Sequence, residues 1–230
     1  MLRLNKLHKI FNCGKVNENY VLKDINLVVP EGDFITIIGS NGAGKSTLLN
    51  LIAGTFFPEA GTVEINGKDV THWPVYKRAP LVGRVFQDPL QGTAAEMTIE
   101  ENLSLAVKRG QRRGLRLGLD KNRRAEFMRL LSLLELGLEK RLDCPVKLLS
   151  GGQRQALTLL MATIGQPQLL LLDEYTAALD PKTAQQIMAI TDRIVKEHQL
   201  TVLMVTHDLK QALAMGKRTI MMDRGEIILD

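Results

Sequence analysis

Apolar and polar residues alternate early in the chain. Residues 2–7, "LRLNKL", and 25–29, "INLVV", read as strands. At 33–54, "DFITIIGSNGAGKSTLLNLIAG", an apolar run passes into glycines and then into helical spacing, which predicts a buried strand, a loop and a helix. Residues 61–70 read as a further strand and turn, and 81–86, "LVGRVF", as another strand. From about 88 to 149 the texture becomes mostly helical: "TIEENLSLAVKRG" and "NRRAEFMRLLSLLEL" both have helical spacing. A helix start at Ser150 comes next, then "QLLLLDE", an apolar run of parallel-strand type. A helix near 181–198, the strand "LTVLMVTHD", a short helix and two closing strands complete the pattern. Strands alternating with helices predict a mostly parallel sheet wrapped by helices, with the middle segment as a helical insertion.

Composition narrows the class. A chain of 230 residues suits one domain, or one domain with an inserted subdomain, and 45% hydrophobic content is ample for a core. A net charge of +5 is mild, so a basic soluble enzyme is favoured over a nucleic-acid-binding surface. Cys13 and Cys144 lack zinc-ligand spacing and suggest no disulfide framework, which fits a reducing compartment. The opening "MLRLNKLHKIF" is unlike a signal peptide, and no stretch approaches 18 apolar residues. Any work at a bilayer is therefore expected to go through a partner. The basic stretch 108–124, "KRGQRRGLRLGLDKNRR", has no interleaved aromatics for stacking on bases. It reads as a solvated helical face, with proximity to anionic headgroups as the alternative.

Candidate chemistry concentrates in three places. Residues 39–46, "GSNGAGKS", meet G-x-x-x-x-G-K-[ST] with a strand before and a helix after. The glycines allow a turn whose N–H groups enclose phosphates; Lys45 would neutralise the β- and γ-phosphates, and Ser46 would hold Mg²⁺. In "LLLLDE", Asp173 ends an apolar strand, where ligands of α/β sheets bind, and suits a carboxylate that reaches Mg²⁺ through water. Glu174 could polarise an attacking water, and His207, ending another strand, joins Lys45 and Glu174 as a candidate. The third place is "LLSGGQRQAL", 148–157. Ser150 is a good N-cap, and Gly151 and Gly152 leave the helix N-terminus open to an anion. One chain thus carries two phosphate-binding elements about a hundred residues apart.

Six motifs in order resemble the ATP-binding subunit of an ATP-binding-cassette (ABC) transporter, over nearly the whole length from Leu2 to Asp230. "GSNGAGKST" is similar to that family's Walker A loop, "VFQDP" to its Q-loop and "LLSGGQ" to its signature; "LLLLDE" is similar to its Walker B strand, "AALD" to its D-loop and "VTHD" to its switch histidine. The resemblance implies a P-loop NTPase with a RecA-like α/β core, an N-terminal antiparallel β portion and an inserted α-helical subdomain. Residues 1–87 and 165–230 would form the core and 88–164 the helical subdomain.

The resemblance also explains the two phosphate elements. In this family two subunits pair head to tail, so Ser150, Gly151, Gly152 and Gln153 of one cover ATP held by the Walker A loop of the other. Gly39, Ser40, Asn41, Gly42, Ala43, Gly44, Lys45, Ser46 and Thr47 would hold that ATP, and Asp180 would support the interface. Glu174, His207, Lys45 and Gln87 would be catalytic, with Ser46, Asp173 and Gln87 toward Mg²⁺. Phe11 is expected to stack on adenine; Tyr20 is the rival, and a core phenylalanine the alternative use of Phe11. One departure is Tyr175, in "DEYTAALD", where many members have proline; another is Ala177 in place of serine. The implied function is to energise transport through a separate permease, with a solute-binding protein as in amino-acid importers, at the cytoplasmic face of the membrane and with no nucleic-acid partner. A soluble relative working on nucleic acid is the rival class, and those usually carry two cassettes or a coiled-coil insertion. Residues 88–98, with Gly92, Ala94 and Ala95, read either as a shallow groove for a permease helix or as a flexible loop.

Overall fold

The computed structural model describes residues 1–111 and 121–230. In chain order the elements are β1 (Leu2–Phe11), β2 (Asn19–Val29), β3 (Phe34–Gly39), α1 (Lys45–Ala53), β4 (Ala60–Ile65), β5 (Lys68–Asp69), α2 (Val75–Arg78), β6 (Val82–Val85), α3 (Ile99–Val107), α4 (Lys121–Ser132), α5 (Gly151–Thr163), β7 (Leu169–Asp173), α6 (Pro181–His198), β8 (Thr201–Val205), α7 (Leu209–Met215), β9 (Arg218–Asp223) and β10 (Glu226–Leu229). By contact the chain parts into two compact units: residues 1–82, 168–174 and 199–230, and residues 83–167 and 175–198. The expected helical segment was 88–164; α6, expected with the core, falls in the second unit because it packs on α5.

The first unit holds two sheets. One is antiparallel, in the order β2-β1-β4-β5. Its first two strands run further than the hydrophobic pattern alone suggested, because the hairpin pairs them out to Phe11 and Asn19. The apolar alternation of Leu2 and Leu4 slips to Leu7 at a bulge where Lys6 has φ 47°. In the other sheet β3 lies between β8 and β9, all parallel, with β7 beyond β8 and β10 antiparallel on β9. Every residue of β7 and of β8 is buried, which is why both read as unbroken apolar runs. Leu48, Leu49 and Ile52 of α1 share a core with Leu4, Ile37, Leu171 and Val205, each fully buried or within 2% of it. Burial at that level stabilises by roughly 1.5–3 kcal/mol per large apolar side chain.

A buried cation braces the same helix. Arg78 is wholly inaccessible and donates to the carbonyls of Leu51 and Ile52 in the last turn of α1, at 2.7 and 2.9 Å. It also donates to Trp73 and Thr71, at 2.8 Å each. The bonds to Leu51, which also accepts from the Gly54 amide, and to Ile52 place the cation at the negative end of the helix dipole. Burial pulls the guanidinium down to about 10, and the Asp69 carboxylate acts in the other direction.

The second unit is mainly helical. Thr98 and Glu101 close a capping box on α3, and Ser150 and Gln153 close another on α5. In α6 the buried residues Ala184, Ile187, Ile190, Thr191 and Val195 recur at helical spacing and form its inner face. The chain between Gln87 and α3 is tied down by one buried side chain, Asn102. Its Nδ2 donates to the carbonyls of Ala94, Met97 and Thr98, and its Oδ1 accepts from the Ala94 amide. Backbone bonds from Val146 to Met97 and from Lys147 to Ala95 add to this. Within residues 88–98, Ala94, Ala95, Met97 and Thr98 are thus held by hydrogen bonds. Most of the basic stretch 108–124 lies outside the described residues.

Candidate functional site

The loop between β3 and α1 is built by its glycines. Gly39, Gly42 and Gly44 have φ of 150°, 83° and 99°. At Gly44, the left-handed N-cap of α1, a Cβ would also sit 2.7 Å from the Leu22 side chain. No acidic residue occupies the first turn of α1, so the positive end of its dipole stays available to an anion. Helix α3, by contrast, carries Glu100 and Glu101 in its first turn. Ser40, Asn41 and Gly42 are exposed, Thr47 is half-buried, and Ala43 is buried with its carbonyl bonded to the Gly225 amide. Lys45 is 6% exposed, and its ammonium donates to the carbonyls of Gly39 and Ser40 at 2.8 and 3.0 Å. The cation is thus held inside the loop it would neutralise for a phosphate.

Parallel pairing brings the strand-end acids to this loop. Asp173 ends β7 and pairs with Val205 at the end of β8. The Ser46 hydroxyl donates to Asp173 Oδ1 at 3.2 Å, so a hydroxyl and a carboxylate 127 residues apart meet. Glu174 follows in the left-handed region, φ 42°, with its amide bonded to the Val205 carbonyl at 3.0 Å. Nδ1 of His207 lies 3.4 Å from Glu174 Oε2. Lys45, Ser46, Asp173, Glu174 and His207 all belong to the first unit. Oxygen donors of this kind suit Mg²⁺, which is usually held by one or two protein oxygens together with phosphates. Among the described residues no cluster of three or more His, Cys, Asp or Glu is placed to hold a metal.

Phe11 and Tyr20 sit on paired strands of the same unit. The Phe11 ring is half-buried, edge-on to Phe56 at 5.2 Å between centroids, with the Lys9 ammonium 5.0 Å from its centre. Tyr20 is 41% exposed and its hydroxyl is bonded to His8.

The remaining candidates lie in the second unit. Gln87 is exposed on the bend after β6. The buried Gln155 donates to the Phe86 carbonyl at 3.4 Å and so holds the residue before it; the sequence reading passed Gln155 over. Ser150 and Gly151 are exposed at the start of α5. Gln153 instead turns inward: its Oε1 accepts from the Ser150 amide and from Arg141, and its Nε2 donates to the Leu136 carbonyl. Gly152 is buried, and a Cβ there would stand 2.3 Å from Thr183 Cγ2. Its lack of a side chain therefore serves the packing of α5 on α6, a reason the sequence reading did not give. Asp180 caps the start of α6 by accepting from the Thr183 amide at 3.1 Å, and bonds from Thr183 hold its carboxyl below the usual range.

Known proteins resemble this chain in sequence and in fold. A family model described as "ABC transporter" matches residues 22–177. A tyrosine transport ATP-binding protein of Clostridioides difficile is 45% identical over 230 residues, covering all of this chain and 91% of that protein. An aliphatic sulfonates import ATP-binding protein of Agrobacterium fabrum is 37% identical, covering 91% of this chain and 73% of its own length. The chain spans only 60% of a spermidine/putrescine import ATP-binding protein of Spiroplasma citri, at 38% identity. A solved dimeric ATP-binding cassette in a post-hydrolysis state, bound to ADP and Pi, superposes with a TM-score of 0.85 at 32% identity, over 99% of this chain and 97% of that one. By family model, sequence identity and fold, the chain belongs to the ABC transporter family, as an ATP-binding cassette.

Proposed function

We propose that the chain binds and hydrolyses ATP with Mg²⁺ and so energises import of a solute through a separate membrane permease. The observation that carries the reading is the convergence of Lys45, Ser46 and Asp173 with Glu174 and His207 at one end of the parallel sheet. Loop amides and the dipole of α1 hold the phosphates, and Lys45 exchanges its loop carbonyls for phosphate oxygens. Ser46 would hold Mg²⁺, and Asp173 would reach it through water. When bound, Mg²⁺ would supply positive charge beside the phosphate oxygens. Glu174 accepts a proton from the attacking water, and His207, within reach of its carboxylate, orients the pair. Phe11 stacks on the adenine.

The second phosphate element is exposed at the start of α5, where Ser150 and Gly151 can meet a nucleotide held by another copy. ATP then binds two copies together head to tail, with Asp180 at the shared surface, and hydrolysis releases them. The dimeric state of the solved cassette bound to ADP and Pi supports this arrangement. Among the described residues no helix is long and apolar enough to cross a membrane, so contact with the bilayer is assigned to the permease, at its cytoplasmic side. The names of the sulfonates and spermidine/putrescine relatives support import, and a solute-binding protein would complete such a system. An ATPase assay with and without Mg²⁺ tests the core of the reading: phosphate release should require the ion and vanish in Lys45→Ala.

A further inference from the structure

Tyr175 directly follows Glu174, at the position where many members of the family have proline. Its side chain is buried, 2% exposed. Its hydroxyl donates to Thr191 Oγ1 at 3.1 Å, and the Thr191 hydroxyl donates in turn to the Ile187 carbonyl at 2.8 Å. Thr191 has one hydroxyl proton and gives it to Ile187, so toward the tyrosine it can only accept. Each bond in such a chain polarises the next.

Glu174 itself carries backbone strain, with φ 42° in a region that favours glycine. Strain of this kind persists only where the surroundings over-determine it. On one side the Glu174 amide is bonded to Val205. On the other side the next residue is Tyr175. A proline there would stiffen the chain through its own ring. Tyrosine has no such ring, but it has a buried side chain tethered to α6.

We propose that Tyr175 is a positioning residue: its hydrogen bond to Thr191 fixes the chain just after Glu174 and so keeps that carboxylate in its reactive placement. The inference rests on the reading of Glu174 as the base. The test is steady-state Mg-ATPase kinetics of Tyr175→Phe, Thr191→Val, the double variant and Thr191→Ser, below the unfolding temperature of each. Tyr175→Phe and Thr191→Val should each lower kcat at least threefold with KM for ATP within twofold. The double variant should be no worse than the weaker single, and Thr191→Ser, which keeps the hydroxyl, should retain kcat. A kcat within twofold of the parent in both Tyr175→Phe and Thr191→Val, whatever happens to Tm, would overturn the proposal. So would losses that multiply in the double variant, or an effect on KM alone. Glu174→Gln runs alongside. Turnover that survives there sinks the reading of Glu174 as base, whereas an inactive Glu174→Gln beside unaffected Tyr175→Phe sinks only the positioning role.

Discussion

Nδ1 of His207 lies 3.4 Å from Oε2 of Glu174, although the two residues belong to separate loops. The loops meet because β7 and β8 are parallel neighbours that end in register at Asp173 and Val205. Glu174→Gln should keep ATP affinity within a few-fold while turnover falls by at least about 10²-fold, the range typical of a lost general base. His207→Ala should lower kcat by a comparable factor. Nucleotide titration beside steady-state hydrolysis separates the two quantities, and full turnover in Glu174→Gln would remove it from this role.

Blocking hydrolysis should make the proposed shared site visible. Glu174→Gln with ATP should convert monomer to dimer in multi-angle light scattering. Ser150→Arg placed on the same background should stay monomeric, because its side chain crowds the exposed start of α5. A stable ATP-bound dimer in that variant would count against the signature covering a second copy's nucleotide.

Gly152 and Thr183 give a test of packing. The Cβ of Gly152→Ala would stand 2.3 Å from Thr183 Cγ2, so the variant should lose about 1–3 kcal/mol, as overpacked cores do. Thr183→Ala deletes that methyl, and the double variant should recover most of the loss. Urea denaturation of the four proteins measures the coupling. Absence of recovery would mean that Gly152 is required for a reason other than Thr183.

Arg78→Met removes the guanidinium bonds to the carbonyls of Leu51, Ile52, Thr71 and Trp73 within the core. The expected cost is about 3–5 kcal/mol, as for other broken buried polar networks. Chemical denaturation should show it as a lower midpoint. A shift equivalent to less than about 1 kcal/mol would mean that water or a neighbour replaces the guanidinium.

The buried hydroxyl of Tyr175 makes stability depend on alkaline pH. Burial pushes it up to about 12 in the folded chain, from the 10.0 usual for a tyrosine. Below pH 10 both states keep the proton and nothing changes. Between pH 10 and 12 the unfolded chain loses its proton while the folded chain retains it, so stability falls as pH rises, by roughly 2–3 kcal/mol in total. Tyr175→Phe should lack this component. Equal alkaline slopes for parent and variant would show that the phenol ionises alike in both states.

Local chemistry was legible in the linear chain. The glycine loop of 39–46, the acids ending an all-apolar strand and the capping serine at 150 each depend on neighbours a few residues away, so spacing alone exposes them. The order of strands and helices is legible for the same reason, since burial on one face or both stamps its period on the residues. Sequence could not show which strands lie side by side. Placing β7 beside β8, and β3 between β8 and β9, is what brings Ser46 to Asp173 and His207 to Glu174. Sequence also could not give the reasons for Gly152, Gln155, Asn102 and Arg78. Each answers to atoms far along the chain or in another element: a threonine methyl, the Phe86 carbonyl, the turn before α3, the end of α1. Tyr175 shows both sides. Its presence was plain as a departure from the family pattern, but its bond to Thr191 exists only because α6 turns that residue inward, and burial then makes an unpaired hydroxyl costly.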